Sequence, residues 1–352
     1  MTVCIVTVYN SENCGSFLQA FALYDYLKKA GHTVYFLKRD TKGTSHSLKP
    51  HFEESIKRIL KLKFKALIAE WQRYASFSAA QKIFPAISRD SAEYKSVDCF
   101  IIGSDTIWNL DNRYFTDNSE TYFGVNLGNK KNISYAASVA NTAEQKFINN
   151  QTAAKGIAKM ADISVRDIAT YNIVKNVFGI ESSIVCDPTL LLNKDEYNKL
   201  INDKEPFSDS PILIYYFGNL PEATVKQIKA LKKETGKKII SFGQVRKWCD
   251  INLPYDPYLF IQCYRDCSFV ITNTYHGTIF SLIYEKNFAD YGQNKKKVKF
   301  LLDSLGAENA FADDNDDLII YYKNDLDYKV INKKIEEQKN ISTEFLKRNL
   351  NI

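Results

Sequence analysis

Short, nearly continuous apolar runs recur along this chain, and each ends in polar residues that lead into a stretch with helical spacing. Val3 to Tyr9, Thr33 to Leu37, Cys99 to Ile102, Ile133 to Ala136, Ile163 to Val165 and the run in SSIVCDPTLLL ending at Asp187-Pro188 form one series. Ile212 to Phe217, Lys238 to Phe242 and Phe269 to Thr272 form a second. A strand wetted on one side alternates apolar and polar residues; these runs do not alternate, so both their faces are covered. With a helical stretch between them, they predict parallel sheets sandwiched by helices. The expected fold class is α/β: two tandem doubly wound, Rossmann-like domains facing across a cleft at the carboxyl ends of their sheets.

With 352 residues, the chain exceeds what one core usually supports. The polar stretch NKDEYNKLINDKEPFSDSP, residues 193–211, is the expected linker. It separates an N-terminal domain, 1–192, with a basic helical insert at about 41–90, from a C-terminal domain, 212–325, and a closing helix in 326–352. Ser16 is the expected N-cap of the first helix, a second helix is expected at about 143–160, and another begins after His276.

The net charge of +6 is concentrated. Residues 41–85 hold nine Lys and Arg against three Glu, so the rest of the chain balances. Within that segment Leu60, Phe64, Leu67, Ile68 and Trp71 share one helical face, and Lys57, Lys61 and Lys65 form a column on another. Such a helix either packs on a core with a solvated outer face or lies on an anionic membrane surface. No nucleic-acid motif accompanies the charge, so nucleic acid is not an expected partner. Seven cysteines without a CxxC pair fit a reducing compartment. The N-terminus lacks a basic flank and a signal-length apolar run, and no stretch approaches the ~18 apolar residues of a membrane span. A cytoplasmic protein is expected, with residues 56–73 as its candidate contact to the inner face of a membrane. No metal is expected: Cys263 and Cys267 have no neighbouring ligands in sequence, and Asp313 to Asp317 reads as a solvated loop.

In an open α/β sheet, the residues just after each strand reach the ligand. Here they are Asn13 and Gly15, Gly103-Ser104-Asp105, Ser138, Arg166-Asp167, Asp187, Gly243-Gln244, and Asn273 with Tyr275, Gly277 and Thr278. Any of them also suits a cap or turn. Arg166 directly follows an apolar strand, where its planar fork suits carboxylate or phosphate oxygens; the alternative is a structural ion pair with Asp167 or Asp105. His276 stands at a strand-to-helix junction, where a helix N-terminus favours anions and an imidazole can exchange protons near neutral pH. Gly277 would let backbone approach a ligand, and Thr278 would add a donor. A satisfied buried histidine is the competing reading. Neither GxGxxG nor a P-loop is present, so no nucleotide cofactor is expected.

Taken in series, NCGSFLQAFALYDYLKKAGHTV, FIIGSDTIWN, ISYAAS, ISVRD, VCDPTLLL and ITNTYHGTIFSLIYEKNF resemble the polysaccharide pyruvyl transferases over roughly four-fifths of the chain. Two positions depart from the family's habit: Thr106, where it often has Gln, and Asn273, where it often has Asp. The resemblance implies a GT-B-like enzyme that moves pyruvate from phosphoenolpyruvate (PEP) to two hydroxyls of a sugar, forming a cyclic ketal and releasing phosphate in cell-surface polysaccharide synthesis. It implies no cofactor beyond PEP as donor, and an acceptor that is a glycan or a polyprenyl-diphosphate-linked sugar. The family's arginine falls on Arg166 and its histidine on His276. Two rivals share the scaffold. One is a GT-B glycosyltransferase using a nucleotide sugar, disfavoured because Glu285 is followed eight residues on by Gln293 where retaining enzymes carry a second Glu. The other is a non-catalytic binding protein.

Overall fold

The computed structural model describes residues 1–39, 64–201, 205, 207, 209–292 and 295–351. They fall into two compact units. Of the described residues, the first unit takes those up to 39, 78–192 and 336–351; the second takes 64–77 and those within 193–335.

The first unit is built on a seven-stranded sheet of order β3-β2-β1-β4-β5-β6-β7. Its strands are β1 (Thr2–Val6), β2 (Thr33–Leu37), β3 (Ala86–Ile87), β4 (Cys99–Ile102), β5 (Lys131–Ala137), β6 (Asp162–Val165) and β7 (Ser183–Ile184), and every pairing is parallel. In the central strands β1 and β4, Val3 to Ile5 and Cys99 to Ile102 are without exposure, as unalternating apolar runs require. Each fully buried Ile or Phe contributes about 1.5–3 kcal/mol of transfer free energy.

The second unit carries a five-stranded parallel sheet of order β10-β9-β8-β11-β12. These strands are β8 (Ile212–Tyr215), β9 (Ile239–Phe242), β10 (Ile251–Leu253), β11 (Phe269–Thr272) and β12 (Asn287–Asp290). In both sheets the first strand lies inside and the order reverses beside it, between β1 and β4 and between β8 and β11. Those two switch points are where a doubly wound fold binds ligands.

Several local expectations are corrected. The first helix is Cys14–Lys29, and its N-cap is Asn13, whose side chain accepts from the Ser16 N–H at 3.1 Å; Ser16 uses its hydroxyl elsewhere. The helix expected at 143–160 is two short ones, Gln145–Ile148 and Gln151–Ile157, interrupted where Asn150 caps the second. The stretch read as a linker opens with a helix, Lys194–Asn198, started by a capping box between Asn193 and Glu196. Its Tyr197 is fully buried, 4.9 Å from the Phe280 ring. The helix expected after His276 is Tyr275–Ile283, so His276 lies inside its first turn.

Much of the basic insert, including Lys57, Leu60 and Lys61, lies outside the described residues. The described part is the helix Phe64–Ala80, on which Ile68 and Trp71 are 57% and 38% exposed. The core-packing reading of that face therefore fails at these two residues. Further along, Arg73 stacks on Tyr255 and Phe77 is buried against it, which groups this stretch with the second unit instead of the first. The closing helix is Tyr328–Leu350. Among the described residues no helix is long and apolar enough to cross a membrane.

Candidate active site

At the switch point of the first unit, the polar residues after β1 and β4 are locked to one another. Asn13 is spent on its cap, and Gly15 is buried in the first helical turn. Ser104, fully buried, donates to Gln19 Oε1 at 2.9 Å. Gln19 Nε2 in turn donates to Thr7 Oγ1, Val8 O and Ser16 O. Gly103 has φ 119°, and a Cβ there would stand 2.3 Å from the Tyr135 carbonyl oxygen, so no other residue fits. These bonds aim Asp105. Its Oδ2 accepts from Ser16 Oγ at 2.7 Å, and its Oδ1 accepts from the Thr106 N–H at 2.7 Å.

Arg166 follows β6, and its guanidinium turns inward. Arg166 Nη1 donates to Asp187 Oδ2 at 2.7 Å, and Nη2 lies 3.7 Å from Asp105 Oδ1. The side chains of Arg166 and Asp187 have no exposure, and Asp105 keeps 13%. Asp187 Oδ1 also accepts from the N–H and hydroxyl of Thr189. The structural ion pair weighed as the alternative is therefore present, with Asp187 and Asp105 as its carboxylates. A buried guanidinium needs an anion, and two carboxylates supply it. The turn-starter Asp187 proves to be its main partner, ahead of Asp105 and in place of Asp167. Asp167 instead accepts from Ser138 Oγ at 2.6 Å and caps the helix Ile168–Phe178, so Ser138 is also committed.

At the switch point of the second unit, Thr274 caps the helix Tyr275–Ile283 by accepting from the Gly277 N–H at 2.9 Å. A Cβ on Gly277 would stand 2.1 Å from Thr272 Oγ1 and 2.4 Å from Thr274 Oγ1. Glycine is therefore required by the two threonines and their mutual hydrogen bond. Thr278, expected as a ligand donor, is fully buried and donates to Thr274 O and to Asp290 Oδ2. Burial pushes the Asp290 carboxyl up to about 6, against hydrogen bonds from Thr278 and the Gly292 N–H. Asn273 is bonded through both ends of its amide to the Phe217 backbone, accepting from N–H and donating to C=O at 3.0 Å each. An Asp there could not donate, which gives the departure at this position a physical reason. His276 is half-buried, its ring edge-on to that of the buried Tyr275 at 5.4 Å.

Two cations beside this switch point were not singled out by the sequence. Lys295 Nζ donates to the Asn273 carbonyl, and burial draws its ammonium below the ordinary lysine value while Asp290 opposes the shift. Arg246, after β9, donates from Nη2 to Tyr216 O at 2.8 Å, Gly218 O at 3.1 Å and Gln244 Oε1 at 2.9 Å. One signal was available: Arg246 lies just beyond the strand end Gly243-Gln244, the same position class that drew attention to Arg166.

The comparisons with known proteins agree with this architecture. The family model described as polysaccharide pyruvyl transferase matches residues 13–289. No curated protein matches the sequence at a significant level. Among solved structures, a UDP-N-acetylglucosamine 2-epimerase superposes with TM-score 0.57 at 10% identity, over 99% of this chain and 95% of the other. The UDP-GlcNAc 2-epimerase of Neisseria meningitidis gives 0.54 at 10%, over 98% and 100%. The UDP-GlcNAc 2-epimerase of Methanocaldococcus jannaschii gives 0.52 at 12%, over 97% and 93%. At such identities the likeness speaks for the fold alone, which is GT-B.

Proposed function

This chain belongs to the polysaccharide pyruvyl transferase family, and from that premise we propose that it transfers pyruvate from PEP to two hydroxyls of a sugar, as a cyclic ketal, with release of phosphate. The observation that carries the reading is the site of His276: the first turn of a helix that starts at the switch point of a parallel sheet. PEP brings a phosphate and a carboxylate, which a helix N-terminus favours.

The chemistry assigns a role to each group. A proton delivered to the methylene carbon of PEP makes the adjacent carbon electrophilic, and one sugar hydroxyl attacks it. The second hydroxyl then displaces phosphate from that carbon, closing the ketal. His276 is the proton donor in this scheme, a role that typically contributes about 10²–10⁴-fold. The hydroxyl protons leave with the departing phosphate and to solvent. Arg166 is a positioning residue that fixes Asp105 and Asp187.

The acceptor we favour is a polyprenyl-diphosphate-linked sugar, reached on the inner face of a membrane through residues 56–73; the exposure of Ile68 and Trp71 supports that surface. Flotation with anionic liposomes at low salt tests the contact, and a protein left at the bottom of the gradient ends it. For the reaction, phosphate release from PEP is measured across a panel of lipid-linked sugars. Release with one acceptor and none without it is expected. No release with any acceptor, together with cleavage of a nucleotide sugar, would transfer the assignment to the glycosyltransferase reading.

A further inference from the structure

The loop after β8 is clamped from both sides in a way that pyruvyl transfer from PEP does not by itself require. Arg246 Nη2 donates to the carbonyls of Tyr216 and Gly218, the residues on either side of Phe217. Asn273 holds the N–H and C=O of Phe217 itself. Arg246 is fixed in its turn: its N–H donates to Asn252 Oδ1 at 2.7 Å, and Asn252 Nδ2 donates to its carbonyl at 3.3 Å. The phenyl ring of Phe217 is nonetheless 44% exposed. A single exposed Phe is ordinary on a protein surface. One whose backbone is held by two side-chain bonds, with the carbonyls on either side held by one cation, at the ligand-binding end of a sheet, is a built platform.

Among the described residues no carboxylate pairs with Arg246, and nothing accepts from its buried Nε or its Nη1. Its three acceptors are neutral carbonyl oxygens. With Nη2 spent on those carbonyls, Nη1 is the nitrogen left to donate to a phosphoryl oxygen, and the face of a phenyl ring suits the C–H face of a pyranose. Lys295, which donates to the carbonyl of the same Asn273, adds an ammonium.

We propose that Arg246, Phe217 and Lys295 form the acceptor subsite, which takes a sugar diphosphate with its phosphates on the two cations and its sugar ring on Phe217. The proposal rests on the pyruvyl-transfer reading and deepens it by naming the residues that take the acceptor's diphosphate and sugar. The same chemistry comes from a polyprenyl carrier or from a nucleotide, so the test carries both. Binding to the purified full chain is measured by calorimetry for farnesyl-diphosphoryl N-acetylglucosamine, for UDP-glucose, for methyl N-acetylglucosaminide and for PEP.

Arg246→Gln is expected to weaken a diphosphate ligand about tenfold or more, the worth of one charge-assisted hydrogen bond, and to leave PEP unchanged. Arg246→Lys should recover part of the loss, and Phe217→Ala should weaken the sugar diphosphates while the clamp survives. The ligand bound more tightly by the wild type, the farnesyl ester or UDP-glucose, identifies the source. A folded Arg246→Gln protein that binds both diphosphates as well as wild type overturns the proposal, as does a loss that falls on PEP instead. Should Arg246→Gln fail to fold, Phe217→Ala decides alone: unchanged affinity for both diphosphates refutes the platform. None of these readings needs turnover. A protein that binds sugar diphosphate through Arg246 and never releases phosphate from PEP would refute pyruvyl transfer and leave the subsite standing.

Discussion

Replacing Arg166 with Met keeps volume at the end of β6 and removes the charge that two carboxylates share. Asp187, whose side chain is without exposure, would lose the guanidinium and keep the N–H and hydroxyl of Thr189. Asp105 would keep Ser16 and Thr106 and could draw on solvent through its 13% exposure. Most of the cost therefore falls on Asp187. Breaking one side of a buried ion pair costs about 3–5 kcal/mol, because the remaining charge is left uncompensated. For a unit of this size that corresponds to a fall of roughly 6–20 °C in the melting transition. Calorimetric unfolding of Arg166→Met, Asp187→Asn and the double variant measures it. The double variant carries no unpaired charge at this position, so it should melt above Arg166→Met, with a coupling of about 1–3 kcal/mol. An Arg166→Met protein melting within a degree of wild type, with its only defect a raised KM for PEP, would show that the guanidinium serves the ligand, and the argument from burial would be wrong.

Three further outcomes follow from the second unit and its histidine. Gly277→Ala drives a Cβ into two hydrogen-bonded threonines, so chemical denaturation should show a loss of about 1–3 kcal/mol; wild-type stability would contradict the packing argument. Asp290 has its carboxyl pushed up to about 6 from 3.8, so the folded chain binds a proton that the unfolded chain releases. Its contribution is full in acid below the ordinary carboxylate value and is lost as pH rises through 6. Relative to Asp290→Asn, wild type should therefore lose roughly 2–3 kcal/mol between pH 4 and 7, and parallel stability profiles would refute this. His276→Ala should lower turnover about 10²–10⁴-fold while its melting transition stays in place. A variant at near wild-type rate removes the histidine from the chemistry.

The sheets were legible because their strands are apolar without alternation. Ile212 to Tyr215 and Phe269 to Thr272 announce buried parallel strands by composition alone. β10 and β12 were missed because Ile251–Leu253 is short and Asn287–Asp290 begins and ends in polar residues, so neither differs from a loop until its neighbours are in place. Ser16 and Asn13 both suit an N-cap; the choice depends on Asp105, distant in sequence, which takes the Ser16 hydroxyl.

The same limit applies to the site. Position after a strand identified Asn13, Ser104, Ser138, Asn273 and Thr278 as polar residues at the ligand end of a sheet. It could not tell whether each side chain is spent on the protein, and these are bonded to backbone or to buried side chains. Arg166 shows the difference most clearly, since its partner Asp187 lies twenty-one residues on and resembled an ordinary turn. Arg246 went unnoticed for the complementary reason: among the described residues no carboxylate pairs with it, and a sequence does not display spatial absence.

The central claim is that one carbon of PEP ends up bonded to two oxygens of the same sugar. PEP labelled with carbon-13 at its middle carbon, incubated with the chain and a lipid-linked sugar, tests this directly by NMR of the recovered acceptor. The account predicts a labelled ketal carbon in the acceptor, coupled to a methyl group, in amount equal to the phosphate released. Label recovered only as free pyruvate or unchanged PEP, with the acceptor unmodified, would contradict it.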